Sequence, residues 1–245
     1  MKKDRINILG VGFDPITMKK AVDKAFGYLE SEKPKMIFTA NPEIVMAATE
    51  SNAFMEIMNK GDLVVADGIG VVIGSKILKK PLPERVAGYD LVQNLFAKMK
   101  NTEHTAYFFG AAPGIAEKAR KKMNKQYPGL KVVGSHDGYF DEAEEKKIIE
   151  EIQALKPSLL LVGLGAPKQE QWINANKDSL NVKLCIGVGG SFDVMSGTLK
   201  RAPKIFIKLG LEWFYRLISQ PTRIKRMMKL PLFLLVVFKR RKEFR

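Results

Sequence analysis

Gly61-Asp62-Leu63-Val64-Val65-Ala66-Asp67-Gly68-Ile69-Gly70 is the stretch that decides the fold. Leu63 to Ala66 reads as a buried strand that ends in a carboxylate. A glycine turn follows, and the apolar run from Val71 to Leu78 starts a helix. In open α/β sheets, ligands bind outside the carboxyl ends of the strands, and Asp67 stands at such an end. Two readings of it are open. Asp is a preferred N-cap residue and would serve the next helix, or it is a functional carboxylate. The other strand ends decide between them.

The same rhythm repeats on both sides. Strands are expected at Ile6–Val11, Met36–Thr39, Thr105–Phe109, Leu130–Val133, Ser158–Val162 and Val182–Val188. Helical patterns cover Thr17–Leu29, residue 41 to about Met58, Asp90–Met99, Ile115–Gln126 and Glu142–Leu155. Asn41 before Pro42 is a helix start with proline at the first helical position. Pro81–Ala87 is a loop. The alternation predicts an α/β fold, Rossmann-like, with a largely parallel sheet covered by helices on both faces.

The chain has 245 residues, enough for one α/β domain plus an extension. Its formal net charge of +15 is unevenly spread. Residues 196–245 hold 14 Lys and Arg against 2 Asp and Glu, a net of +12, which leaves only +3 for residues 1–195. We therefore divide the chain into an α/β core, 1–195, and a basic helical C-terminal appendage, 196–245. A local surplus of this kind implies an anionic partner, nucleic acid or a membrane surface. Pro203–Ser219 reads as one helix with large apolar and aromatic residues on one side, suited to docking on the core or on a second copy of the chain. Leu230 to Phe238 is a nine-residue apolar run followed at once by Lys239-Arg240-Arg241-Lys242. A spanning helix needs about 20 apolar residues, so this run cannot cross a bilayer. Apolar residues beside clustered cations suit the interface of an anionic membrane. The N-terminus reads as a first strand rather than a signal peptide.

Several chemistries lack their motifs. The Gly110-Ala111-Ala112-Pro113-Gly114 turn opens a helix, so Gly110 and Gly114 frame a place where backbone N–H groups suit a phosphate. It is not G-x-G-x-x-G, and no G-x-x-x-x-G-K-[ST] loop exists, which removes the main support for a nicotinamide or nucleotide-hydrolysing reading. No D-x-D pair and no metal-spaced cluster occurs, so no metal or other cofactor is expected. No G-x-S-x-G elbow is present. His104 and His136 stand alone, and a catalytic His needs an orienting partner. Cys185 lies within an apolar strand and reads as a small hydrophobe. The Gly165-Ala166-Pro167-Lys168-Gln169-Glu170 turn is different. Two charges and an amide crowd a helix start at a strand end, which suits a polar, hydroxyl-rich ligand.

These motifs together resemble the WecG/TagA/CpsF family of bacterial glycosyltransferases over essentially the whole chain. The resemblance is carried by Thr39-Ala40-Asn41-Pro42-Glu43, Ala66-Asp67-Gly68-Ile69-Gly70, Arg85-Val86-Ala87-Gly88-Tyr89-Asp90 and Gly163-Leu164-Gly165-Ala166-Pro167-Lys168-Gln169-Glu170. It continues in Gly189 to Phe192, Ser196-Gly197, Lys200-Arg201-Ala202-Pro203, Gly210-Leu211-Glu212-Trp213 and Tyr215-Arg216-Leu217. It is nearest to the TagA branch, whose enzymes move N-acetylmannosamine from UDP to GlcNAc-diphospho-undecaprenol in wall teichoic acid synthesis.

The resemblance implies an inverting, metal-independent transferase working peripherally on the cytoplasmic face of the cell membrane. Asp67 matches the family's acid and is the expected general base. Thr39, Asn41, Arg85, Lys168 and Gln169 are expected to hold the substrates. Arg85 also belongs, with Arg216, Arg223 and Arg226, to the cations expected at the leaving diphosphate or the lipid diphosphate. UDP-N-acetylmannosaminuronate and UDP-glucose are the alternative donors. A nucleic-acid-binding reading of the basic tail is disfavoured by the adjoining apolar run and the lack of a recognition motif.

Overall fold

The computed structural model describes residues 4–219, 224 and 228–244. Six strands form one all-parallel sheet: β3 (Lys35–Ala40), β4 (Leu63–Ala66), β5 (Thr105–Gly110), β6 (Lys131–His136), β7 (Leu159–Gly163) and β8 (Leu184–Gly187). Their order across the sheet is β4-β3-β8-β7-β5-β6. Strands β4, β7 and β8 are buried along their whole length, as expected of a sheet with helices on both faces.

The two faces carry separate apolar clusters. One packs α1 (Met18–Tyr28), α5 (Gly88–Met99), α6 (Ile115–Gln126) and α9 (Ser191–Ser196) on the sheet. The other packs α2 (Pro42–Thr49), α3 (Asn52–Lys60), α4 (Ile69–Ile77), α7 (Glu142–Leu155) and α8 (Lys168–Asn176).

The structure departs from the sequence expectation in three places. Ile6–Val11 is not a strand of the main sheet. Residues Leu9 and Gly10 both take positive φ and turn the chain back, giving an antiparallel pair, β1 (Ile6–Ile8) and β2 (Val11–Phe13). Arg5 ties this hairpin to the α3–β4 turn, pairing with Asp14 at 2.8 Å and donating to Gly61 O at 2.7 Å. The helix expected from 41 to Met58 is two helices, because Ser51 Oγ accepts from Phe54 N–H and caps a new start. The Pro203–Ser219 helix also breaks, into α10 (Lys204–Lys208) and α11 (Glu212–Ser219). Gly210 at the break has φ +71, and a Cβ there would lie 2.9 Å from Ile69 Cγ1.

The last apolar run forms α12 (Lys229–Lys239), followed by α13 (Arg241–Phe244). It lies against α2 and α4. Gly70 and Gly74, one turn apart on α4, open the groove that receives it. A Cβ on Gly70 would stand 2.3 Å from Leu230 Cδ1, and one on Gly74 3.0 Å from Phe233 Cε1. Phe233 and Val237 are fully buried in the core, whereas Leu232, Leu235 and Phe238 on the opposite side are about half exposed. Burying each inner side chain contributes about 1.5–3 kcal/mol. The run is thus a docked helix with an apolar outer face. Among the described residues no helix is long and apolar enough to cross a membrane.

Candidate active site

Neighbouring strands β3 and β8 send their chains to opposite faces of the sheet, β3 into α2 and β8 into α9. A crevice opens at such a switch point, outside the carboxyl ends of the strands. A cleft of about 300 Å³ occupies it. Thr39, Asn41 and Glu43 enter from the β3–α2 turn, and Asp67 to Gly70 from the β4–α4 turn. Arg85 and Tyr89 flank the start of α5, and Gly189 to Ser191 form the β8–α9 turn. The C-terminal segment closes the wall with Arg201, Gly210, Glu212, Trp213 and Leu230.

Asp67 is half-buried and follows directly on β4, where its N–H donates to Ala40 O at 3.0 Å. The N-cap of α4 is Gly68, with no side-chain cap hydrogen bond among the described residues. Asp67 therefore does not hold the N-cap position, and it lines the cleft wall.

Asn41 does cap its helix: its Oδ1 accepts from Ile44 N–H at 3.0 Å, and Pro42 follows at the first helical position. Its amide NH2 is the part left for a ligand. Thr39 is buried and its hydroxyl donates to Gly187 O at 3.1 Å, joining β3 to β8 under the cleft. Its oxygen retains acceptor capacity. Gln169 is buried at the cleft floor, with Nε2 donating to Glu170 Oε1 at 2.7 Å and Oε1 accepting from Gly189 N–H at 3.0 Å.

Two arginines stand in the wall beside carboxylates. Arg85 Nη2 donates to Glu212 Oε2 at 2.9 Å, with both side chains largely buried. Arg201 Nη2 donates to Asp90 Oδ2 at 2.6 Å, and its guanidinium lies 4.6 Å over the Tyr89 ring. Burial opposes the Arg201 charge, but the Asp90 hydrogen bond and the carboxylates around it more than offset this, raising its pKa. Burial likewise raises the Tyr89 hydroxyl, keeping it a neutral donor at physiological pH. Among the described residues no group of three or more His, Cys, Asp or Glu comes together to hold a metal ion.

The remaining sequence candidates stand elsewhere. Lys168 is exposed outside the cleft wall, with Nζ 4.4 Å over the Phe140 ring. Gly110 and Gly114 are also outside the wall. A Cβ on Gly110 would meet the Gly163 backbone at 2.5 Å, so this glycine lets β5 pack against β7. Arg216 lies on α11; Arg223 and Arg226 lie outside the described residues. Tyr89, Arg201, Glu212, Trp213 and Leu230 line the cleft but are not among the site residues expected from sequence. The first four fall within the motifs that carry the family resemblance, and that was their only signal.

A family model described as "Glycosyl transferase WecG/TagA/CpsF family" matches residues 6–245. The chain is 38% identical over 244 residues to the N-acetylglucosaminyldiphosphoundecaprenol N-acetyl-beta-D-mannosaminyltransferase of Staphylococcus aureus (strain MRSA252), covering 98% of this chain and 95% of that one. It is 37% identical over 212 residues to the Bacillus spizizenii protein of the same name, covering 86% and 82%.

Proposed function

Because the chain belongs to the WecG/TagA/CpsF glycosyltransferase family, we propose that it transfers N-acetylmannosamine from UDP to the 4-hydroxyl of the GlcNAc in GlcNAc-diphospho-undecaprenol, the linkage step of wall teichoic acid. The names of the relatives supply the sugar and the lipid-linked acceptor. The observation that carries the reading is the placement of Asp67: a residue of the cleft wall directly after a strand, with Gly68 rather than Asp67 at the N-cap of α4.

The transfer is a single displacement with inversion. The acceptor oxygen attacks the anomeric carbon while Asp67 takes its proton. The bond from that carbon to the UDP phosphate breaks, and UDP leaves with the electron pair. General-base catalysis of this kind contributes about 10²- to 10⁴-fold. Asn41 and Thr39 hold sugar hydroxyls at the neighbouring strand end. The charge that develops on UDP is met by cationic side chains rather than by a metal, Arg85 and Arg201 from the wall, with Arg216, Arg223 and Arg226 of the appendage as further partners. Lys168 and the Gly110–Gly114 turn, outside the cleft wall, serve the part of the donor that extends past it.

The acceptor resides in a membrane, so the enzyme works at that surface. The outer face of α12, with Leu232, Leu235 and Phe238 about half exposed and Lys239 to Lys242 at its end, suits the cytoplasmic interface of an anionic bilayer.

The decisive test is Asp67→Asn, assayed with a panel of UDP-sugars and a GlcNAc-diphospholipid acceptor. Turnover is expected to fall by about 10²-fold or more in a normally folded variant. Unchanged turnover would remove Asp67 from the base role. Activity that persists in EDTA supports the metal-free step; its loss, restored by a divalent cation, would overturn it.

A further inference from the structure

Below the cleft, one side chain on the first turn of α8, Gln169, reaches across to the β8–α9 turn, and its neighbour Glu170 holds it from behind. Gly189 N–H donates to Gln169 Oε1 at 3.0 Å, and Gln169 Nε2 donates to Glu170 Oε1 at 2.7 Å. Both side chains are buried, Glu170 with 1% of its surface exposed. The amide sits in a slot shaped by β8, since a Cβ on Gly187 would stand 2.9 Å from Gln169 Nε2.

Glu170 is an expensive residue to keep there. Its Oε2 is buried without a hydrogen-bond partner, and such a group costs about 1–3 kcal/mol. Burial raises its pKa, which favours the neutral acid. Packing alone would be served better by an apolar side chain of similar volume. What Glu170 supplies is an acceptor oxygen aimed at Gln169. A glutamine amide fits the same space in two orientations. One presents its oxygen to the Gly189 N–H. The flipped one sets NH2 against N–H, donor against donor. An acceptor on the far side selects the first.

We propose that Glu170 is a positioning residue for glycosyl transfer: through the Gln169 amide it locks the Gly189–Ser191 turn in the conformation that receives substrate in the cleft. The proposal rests on the reading of the cleft as the transfer site, and one arm of its test does not.

The variants are Glu170→Gln, Glu170→Met, Gln169→Met and the Gln169→Met/Glu170→Met pair. Three quantities are read: amide exchange protection of Gly189 by NMR, donor and acceptor KM, and kcat. Glu170→Gln keeps an acceptor oxygen and is expected to match the parent in all three. Glu170→Met is expected to lose about tenfold in Gly189 protection and to raise KM by a similar factor with little change in kcat, the scale of one hydrogen bond. The double variant is expected to be no worse than Gln169→Met alone, because the residues act in series. Glu170→Met with parental protection and KM would overturn the proposal, as would a Glu170→Gln variant as impaired as Glu170→Met. Should Glu170→Met fail to fold, parental Gly189 protection in Gln169→Met overturns it equally. Absence of turnover by the parent with these substrates would sink the substrate reading instead, and Gly189 protection would still decide the positioning role.

Discussion

Arg85 Nη2 lies 2.9 Å from Glu212 Oε2, across 127 residues of chain, at the rim of the cleft. A loop of the core and the first turn of α11 are therefore joined where the leaving group is proposed to sit. In the proposed transfer, the diphosphate entering the cleft meets a guanidinium already oriented by its carboxylate partner.

Arg85→Gln removes that cation and retains much of the side-chain volume. Its kcat is expected to fall by about 10²-fold, the scale found when one oriented donor to a developing negative charge is lost. Steady-state kinetics with the folded variant measure it. A change confined to KM would mean that Arg85 only binds the ground state.

Phe233→Ala should empty a fully buried site between α12 and α4. Truncating a buried phenylalanine costs about 3–5 kcal/mol. Hydrogen exchange shows how that cost is distributed. Lost protection confined to α12 means that the helix detaches as its own unit; a lowered global melting temperature means that it is part of the cooperative core.

Replacing Leu232, Leu235 and Phe238 together by serine leaves the inner face of α12 intact. Single surface changes of this kind stay within about 0.5 kcal/mol. Flotation with anionic vesicles should nevertheless drop by about tenfold or more, since each buried CH2 equivalent is worth about 0.8 kcal/mol at such an interface. Undiminished vesicle binding would place the membrane contact elsewhere.

The pH dependence of stability carries a definite sign at Glu170. Burial raises its pKa above the ordinary 4.5 in the folded chain. Below that value both states hold the proton and Glu170 costs nothing extra. As pH rises past it, the unfolded chain releases its proton and the folded chain does not, so stability falls. Glu170→Gln removes this slope. Urea melts should show little difference from the parent near pH 4 and a more stable variant near pH 8; a constant difference across that range would contradict the assignment.

Much of this architecture is legible in the residues. Buried runs such as Leu63–Ala66 bounded by turn residues identify the parallel strands, and Asn41-Pro42 announces its helix by local chemistry alone. Local chemistry also explains two of the misses. Ser51 and Gly210 are ordinary helix punctuation, but each falls inside a run whose apolar pattern continues past it, and the pattern concealed the break. The tail was ambiguous for a different reason. Leu230–Phe238 is apolar on every side, so its sequence does not distinguish the face that packs into Gly70 and Gly74 from the face left outside. In the cleft, Thr39 and Asn41 were named only through the family resemblance, and Asp67 was readable from its position after a strand. Arg201 and Glu212 were not, because their partners Asp90 and Arg85 are more than 100 residues away.

The close approach of Gly70 to Leu230 couples two parts of the molecule. Position 70 belongs to the wall of the cleft, and position 230 begins the helix that carries the outer apolar face. With only 2.3 Å between a Cβ at 70 and the Leu230 methyl, a side chain gained at 70 must displace that methyl. A substitution at Gly70 is therefore felt at the start of α12, the helix whose outer apolar face is proposed to meet the membrane.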